Sequence, residues 1–269
     1  IKSISLDYSI YVATARGIPS LADGLKAGQR KFLWLMRNKA DKIKTVSLSG
    51  LAISEEIFDH GDASASETIS LMAAPFCNNI PLFKGIGNFG TRVTPSEFGA
   101  PRYTYVKKYN MTEELIYPDL SIIEMKENST GTNVEPVNFL PLIPVVLLNG
   151  ISGIAVGWST DILPRNINDI IDNTIKSVKG QKLERLTPSY DYIGNKVSHI
   201  EDNSWNIFGS VEYINSTTVK ITSLPPEISL SKFKEKLNKM EDDGAIQTYI
   251  DNSAEFIDIE VKFKREQLA

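Results

Sequence analysis

Residues 85–90, Gly-Ile-Gly-Asn-Phe-Gly, carry the G-x-G-x-x-G spacing that lets a backbone approach a pyrophosphate at a helix N-terminus. That chemistry needs a strand entering the loop and a helix leaving it. Here Pro81 precedes the glycines, Thr91-Arg-Val-Thr-Pro95 follows, and no strand–helix–strand pattern surrounds them, so nucleotide-dependent redox chemistry is excluded. Two readings of the loop stay open: glycines that admit some other phosphate, and a turn with a structural task alone. A second chemically capable group is cationic. Lys26, Arg30, Lys31 and Arg37 share residues 23–38 with Leu25, Phe32, Leu35 and Met36 at roughly helical spacing. This predicts an amphipathic helix with a basic face, which either grips phosphates or is simply solvated. His60 sits in Asp59-His60-Gly61-Asp62, as a polar turn residue or a proton-handling group. Arg102-Tyr103 opens a run of strand-like composition, one tyrosine among ten.

The elements that would position these residues can be read from pattern. Residues 1–16 suggest an arm or short helix, and the chain begins on Ile1, as an excised fragment would. Residues 47–58 and 63–76 both show helical apolar spacing across the 59–62 turn, with Ser64 and Glu67 at capping-box spacing and Asp62 as an equal candidate for the N-cap. Two helices across a Gly-containing turn fit a helix-turn-helix, or an ordinary packed pair. Residues 141–157 are apolar with paired glycines and predict a buried strand, a turn and a second strand. Residues 167–178 predict an amphipathic helix ended by Gly180, 205–224 strands, 230–240 a helix, and 256–263 a half-buried strand. The expected fold class is α+β, helical to about residue 140 and mixed thereafter.

With 29 Lys+Arg against 33 Asp+Glu the chain is mildly acidic overall, which argues against a polyanion partner until it is divided. Residues 1–110 hold 14 Lys+Arg against 9 Asp+Glu, a net of +5, and the rest hold 15 against 24, a net of −9. A polyanion would therefore meet the first part, although two solvated charged faces would produce the same numbers. The single cysteine, Cys77, and the lack of a charged leader followed by an apolar core predict an intracellular home. No apolar run reaches membrane-spanning length. No Glu followed by an Asp-x-Asp cluster and no ATP-binding motif occurs, so no metal ligands are assigned.

Taken in order, Arg16-Gly-Ile-Pro-Ser-Leu-Ala-Asp-Gly-Leu-Lys26-Ala-Gly-Gln-Arg30-Lys31, Asp59-His60-Gly61-Asp62, Gly85-Ile-Gly-Asn-Phe-Gly-Thr91 and Pro101-Arg102-Tyr103 resemble the breakage-reunion region of type IIA DNA topoisomerases. The resemblance continues through Leu147-Leu-Asn-Gly-Ile-Ser-Gly-Ile-Ala-Val-Gly-Trp158, Ile214-Asn-Ser-Thr-Thr-Val-Lys-Ile-Thr-Ser-Leu-Pro225 and the last nine residues, covering essentially the whole chain. The Gly-Gln-Arg-Lys and Asn-Ser-Thr-Thr spellings look like eukaryotic, viral or T-even-phage members, including the medium subunit of the phage enzyme.

The resemblance implies a winged-helix DNA-cleavage domain at 1–140 and an α/β tower domain at 141–269, incomplete at its C-terminus. It implies that Tyr103 attacks a backbone phosphate, leaving a transient 5′-phosphotyrosine and a 3′-hydroxyl, so that one duplex passes through a double-strand break in another. A phenol is a weak nucleophile at neutral pH and needs nearby cations or a base, yet it leaves acceptably when the strand is rejoined. Arg16, Arg102 and His60 would surround the scissile phosphate. Lys26, Arg30 and Lys31 would grip phosphates without reading sequence. Ile154 would wedge between base pairs, exchanging unstacking for a larger wrapped surface.

The implied partners are double-stranded DNA, a second copy of this core, and an ATPase/TOPRIM-bearing subunit or upstream segment supplying ATP and Mg²⁺. The implied location is the host cytoplasm for a phage protein and the nucleus for a eukaryotic one. The alternative is a non-catalytic winged-helix DNA-binding or architectural protein. Quinolone-sensitive relatives carry a serine where this chain has Ala63, so a weak quinolone response is expected; trapping of cleaved DNA at low micromolar drug would contradict it.

Overall fold

The computed structural model describes the backbone of residues 2–194 and 196–265, and their side chains except for 2–5, 15 and 16. Helix α1 (Lys2–Val12) runs into a π-helical turn at Ala13–Gly17, and α2 spans Ala27–Met36. Strand β1 (Ile43–Lys44) leads directly into α3 (Thr45–Ser54), and α4 (Asp62–Ala73) follows the 59–62 turn. These segments are helical because their small and apolar side chains recur on one face. Phe32, Leu33, Leu35 and Met36 of α2, Leu48 and Ala52 of α3, and Ala65, Ile69 and Met72 of α4 meet in the main core, with Phe83, Val106 and Phe139 beneath them. The predicted capping box does not form. Helix α4 starts at Asp62 with Gly61 as N-cap and no side-chain cap, so Ser64 already lies within the first turn; Asp62 contributes its negative charge to that turn instead.

Strands β2 (Phe83–Ile86) and β3 (Tyr105–Lys108) complete a three-stranded antiparallel sheet in the order β1-β3-β2, against which the helices pack. Helix α5 (Asn110–Ile116) and the hairpin β4–β5 (Met125–Glu127, Val134–Pro136) close this first part. Residues 141–157 depart from expectation. Val145–Asn149 form a short helix, α6, and the strands that follow are β6 (Ile151–Ala155) and β7 (Trp158–Ile162). A short apolar run does not distinguish strand from helix by periodicity, and here burial of Val145 and Leu148 one turn apart decides for helix. Gly150, at φ +66°, ends it; a Cβ there would lie 2.3 Å from the Ile162 carbonyl oxygen.

Helix α7 (Ile167–Val178), capped by the Asn166 side chain, and the hairpin β8–β9 (Lys196–His199, Trp205–Phe208) precede the second sheet. That sheet joins β10 (Ser210–Asn215), β11 (Thr218–Ser223), β12 (Thr248–Asp251) and β13 (Ile259–Lys262) in the order β10-β11-β13-β12, every pairing antiparallel, with α8 (Leu230–Asp242) packed on it. Val219, Leu237, Ile246, Ile259 and Val261 form its core. Residues 79, 92 and 93 tie the two parts together. Val93 packs on the second core, and the Arg92 guanidinium donates to the carbonyls of Pro225 (2.6 Å) and Ile228 (2.8 Å). The Asn79 amide donates to Leu148, Arg165 and Ser189 carbonyls. Among the described residues no helix is long and apolar enough to cross a membrane.

Candidate functional site

Tyr103 occupies a turn between the glycine loop and β3, and 69% of it is exposed. Helix α3 holds this turn: its first-turn amides of Thr45 and Val46, which a helix leaves without internal partners, donate to the carbonyls of Thr104 (3.0 Å) and Pro101 (3.1 Å). The Thr104 hydroxyl, buried, donates to Thr45 Oγ1 at 2.8 Å. The Tyr103 amide closes the turn on the Ala100 carbonyl at 2.8 Å. Beside it the Arg102 guanidinium carbon lies 4.9 Å from the ring centroid, a cation already in contact with the phenol. The glycine loop is the other wall. Gly87, at φ +111°, and Gly99 both lie against Thr104, so that a Cβ on either would meet its methyl at 3.3 or 3.0 Å. Within the 85–90 motif Gly87 alone packs behind the tyrosine turn, while a Cβ on Gly85 would meet the Phe89 ring at 2.6 Å and one on Gly90 the Phe76 ring at 2.8 Å.

A cleft of about 1030 Å³ forms a second feature. Its walls include the start of α2, the N-terminal face of α4 and the base of the β6–β7 hairpin, and it brings together Lys26, Lys31 and His60; neither Arg102 nor Tyr103 lines it. His60 is half-buried, with its ring edge-on to Phe58 at 5.2 Å. Lys26 Nζ donates to the Ser152 carbonyl at 2.7 Å, tying α2 to the hairpin. Burial lowers its pKa below the usual lysine value. The Arg16 backbone lies in the π-helical turn, against which the hairpin packs; the Arg16 side chain lies outside the described residues. A Cβ on Gly153 would stand 1.9 Å from the Gly17 carbonyl oxygen, so this approach tolerates no side chain.

Two of the predicted phosphate grips are turned inward. Arg30 is 9% exposed and pairs through Nε and Nη2 with both oxygens of Asp23, at 2.6 and 2.8 Å. It faces carboxylate rather than solvent, because α2 places it on the same side as the buried Leu33, three residues on. This corrects the solvated-face expectation for Arg30. Lys31 lies 3.3 Å from Glu135 and 3.8 Å from Asp59, with 15% of its side chain exposed, so it reaches the cleft already paired. Asp23 and Glu135, both buried, were not legible as partners: Asp23 stands in a loop seven residues from Arg30, and Glu135 more than a hundred from Lys31.

Ile154 sits near the tip of the β6–β7 hairpin, paired with Ser159, and is 87% exposed, with Val156 (55%) and Trp158 (68%) beside it. An apolar tip of this kind is held out of any core. Cys77 lines the cleft, half-buried, and burial pushes its thiol up to about 11. Two units above the ordinary value leave about 100-fold less thiolate at pH 8. Iodoacetamide should alkylate Cys77 correspondingly slowly in the folded protein and at an ordinary rate in urea; equal rates would contradict the buried setting. Among the described residues no group of three or more His, Cys, Asp or Glu is placed to hold a metal ion.

Residues 16–269 match the family described as the A subunit of DNA gyrase/topoisomerase IV. The chain belongs to this family, the type IIA DNA topoisomerases. It is 35% identical over 239 residues to the putative mitochondrial DNA topoisomerase 2 of Caenorhabditis elegans, covering 84% of this chain and 20% of that protein. It is 32% identical over 270 residues to human DNA topoisomerase 2-alpha, covering 94% and 17%. A solved structure of the Plasmodium falciparum topoisomerase II DNA-binding, cleavage and re-ligation domain superposes with a TM-score of 0.90 at 31% identity, over 98% of this chain and 37% of that one. The chain thus spans a fifth or less of the length of these curated relatives.

Proposed function

We propose that this chain is the DNA-cleavage and rejoining core of a type IIA topoisomerase, with Tyr103 as its nucleophile. The observation that carries the reading is an exposed phenol in contact with the Arg102 guanidinium, on a turn locked to α3 by two backbone hydrogen bonds. Tyr103 Oη attacks a backbone phosphorus; the Oη–P bond forms as the P–O3′ bond breaks, and the phenolic proton lost is matched by the one the 3′ oxygen gains. One phosphoester replaces another, so rejoining is the same step reversed and needs no fuel. Fixed cations suit the charge that develops on the five-coordinate phosphorus. Arg102 supplies one beside the phenol, Arg16 another, and His60 handles the proton or the phosphate.

In one copy the tyrosine turn does not line the cleft that holds His60 and Lys26. That separation favours a dimer, in which each copy contributes one Tyr103 and cuts one strand. In this reading α2–α4 with the β1-β3-β2 sheet are a winged-helix cleavage domain over 1–140, and 141–269 a tower; the largely separate cores around Phe32 and Ile259 support the division. ATP and Mg²⁺ belong to an ATPase/TOPRIM subunit or upstream segment, where the metal would assist charge neutralisation. Among the described residues no group of three or more His, Cys, Asp or Glu is placed to hold it. The protein would work where DNA is handled, in the nucleus or a phage-infected cytoplasm.

The test combines the chain with its ATPase/TOPRIM partner, supercoiled DNA, Mg²⁺ and ATP, then adds detergent and protease. Linear DNA with peptide on its 5′ ends is the expected product; a complete lack of adduct over all salt and metal conditions overturns the reading. Ile154 offers a second expectation. Because it is 87% exposed, Ile154→Ala should change folding stability by less than about 0.5 kcal/mol. It should nevertheless reduce the bend measured by energy transfer between the ends of a labelled duplex, since an inserted side chain offsets unstacking of a few kcal/mol. An unchanged bend would remove Ile154 from the interface.

A further inference from the structure

The three-stranded sheet packs its helices on one side; on the other, Lys44, Lys84 and Ile86 are exposed and Tyr105 and Lys107 half-buried. Phe83 and Val106 point inward and are fully buried. The alternate positions Lys84 and Ile86 of β2, Tyr105 and Lys107 of β3, and Lys44 of β1 share the outer face, and Lys44, Lys84 and Ile86 are exposed. Register brings them together: Lys84 is opposite Lys107, while Lys44 and Ile86 flank Tyr105 on its two sides. Lys42, from the loop before β1, lies over the Tyr105 ring with Nζ 4.9 Å from its centroid. Among the described residues no carboxylate lies within ion-pair distance of Lys42, Lys44, Lys84 or Lys107. Asp41 is the nearest acid in sequence and is itself unpaired in that sense.

Four cations held close together without counter-charges repel one another, and the sheet tolerates them only because water screens them. An isolated sheet has no stake in that arrangement; a polyanion does. The outer face also continues the tyrosine turn, since β3 begins two residues after Tyr103.

We propose that the outer face of the β1-β3-β2 sheet, through Lys42, Lys44, Lys84 and Lys107 around Tyr105, is a backbone grip on the DNA duplex flanking the cut. The proposal rests on the cleavage reading above and adds a surface to it. Contacts of this kind carry charge but no sequence information, so they position the duplex and make binding steeply salt-dependent. The aromatic in the middle holds Lys42 in place.

The test uses the enzyme assembled with its ATPase/TOPRIM partner and compares wild type with a variant carrying Lys42→Gln, Lys44→Gln, Lys84→Gln and Lys107→Gln. Each phosphate contact contributes about 0.9 to the slope of log affinity against log salt, so a dimer carrying the four changes in each copy should lose about 7 from that slope and protect a shorter stretch of duplex in a hydroxyl-radical footprint. The matching set of Lys→Arg substitutions should restore both. An unchanged slope and footprint in a variant with wild-type thermal unfolding overturns the proposal and would direct attention to an acidic protein surface. The wild-type 5′ adduct is scored in parallel. A missing adduct with a reduced variant slope defeats the cleavage reading alone, and a normal adduct with an unchanged slope defeats the sheet-face grip alone.

Discussion

Tyr103→Phe should abolish the covalent adduct if Tyr103 is the nucleophile proposed above. The substitution removes one oxygen and leaves the ring that Arg102 contacts at 4.9 Å. Tyr103 is 69% exposed, and the turn is held by backbone bonds of Pro101, Thr104 and Ala100, so stability should stay within about 0.5 kcal/mol of wild type. DNA affinity should be retained for the same reason, because none of the basic side chains proposed to contact phosphates is changed. Cleavage should fall by about 10⁴-fold or more, the scale expected when an enzyme loses its only nucleophile and equivalent to about 5.5 kcal/mol or more on the barrier. The measurement is 5′-linked protein after detergent and protease in the assembled enzyme. Adduct surviving in this variant would place the nucleophile elsewhere, and Tyr105, covered by Lys42, is the neighbour to examine next.

Asp23→Ala should be strongly destabilising. The Asp23 carboxylate is fully enclosed, and it accepts four hydrogen bonds: two from Arg30, one from the Leu25 amide at 3.0 Å and one from the Phe139 amide at 3.0 Å. It therefore joins the loop before α2, α2 itself and a segment over a hundred residues away. Removing it leaves the Arg30 guanidinium buried with only the Leu25 carbonyl at 3.1 Å, and uncompensated buried charges of this kind cost about 3–5 kcal/mol. The midpoint of urea unfolding reads the loss directly. Combining Asp23→Ala with Arg30→Met should recover a large part of it, since no charge then remains buried, and the double-mutant cycle isolates the pair. A loss below about 1 kcal/mol for Asp23→Ala would mean that water reaches the guanidinium.

The residues show unevenly how far pattern carries. Helices α2, α3, α4, α7 and α8 were legible because their apolar residues recur at helical spacing, and β13 because Ile259 and Val261 alternate with polar neighbours. Within 141–157 the second expected strand is present as β6, but Val145–Asn149 form a helix, since a short apolar run has no period that separates strand from helix. Ile154 would pass for core on composition, and its exposure follows from hairpin register, which sequence spacing does not reveal.

The motifs determined by themselves that this chain is a type IIA topoisomerase relative, and the segmental charge showed which part is basic. Residue type and order suffice for that, because a family's chemistry needs its Arg-Tyr, its His-Gly turn and its glycine loop in one sequence. Only the tertiary structure decided which cations are free to act. Arg30 and Lys31 look alike in sequence to Lys44 and Lys84, yet the first two meet Asp23 and Glu135 in the interior while the others stand bare on a sheet face. Availability of a charge depends on what the fold brings against it, and those partners come from loops and strands distant in the chain, where local spacing carries no information.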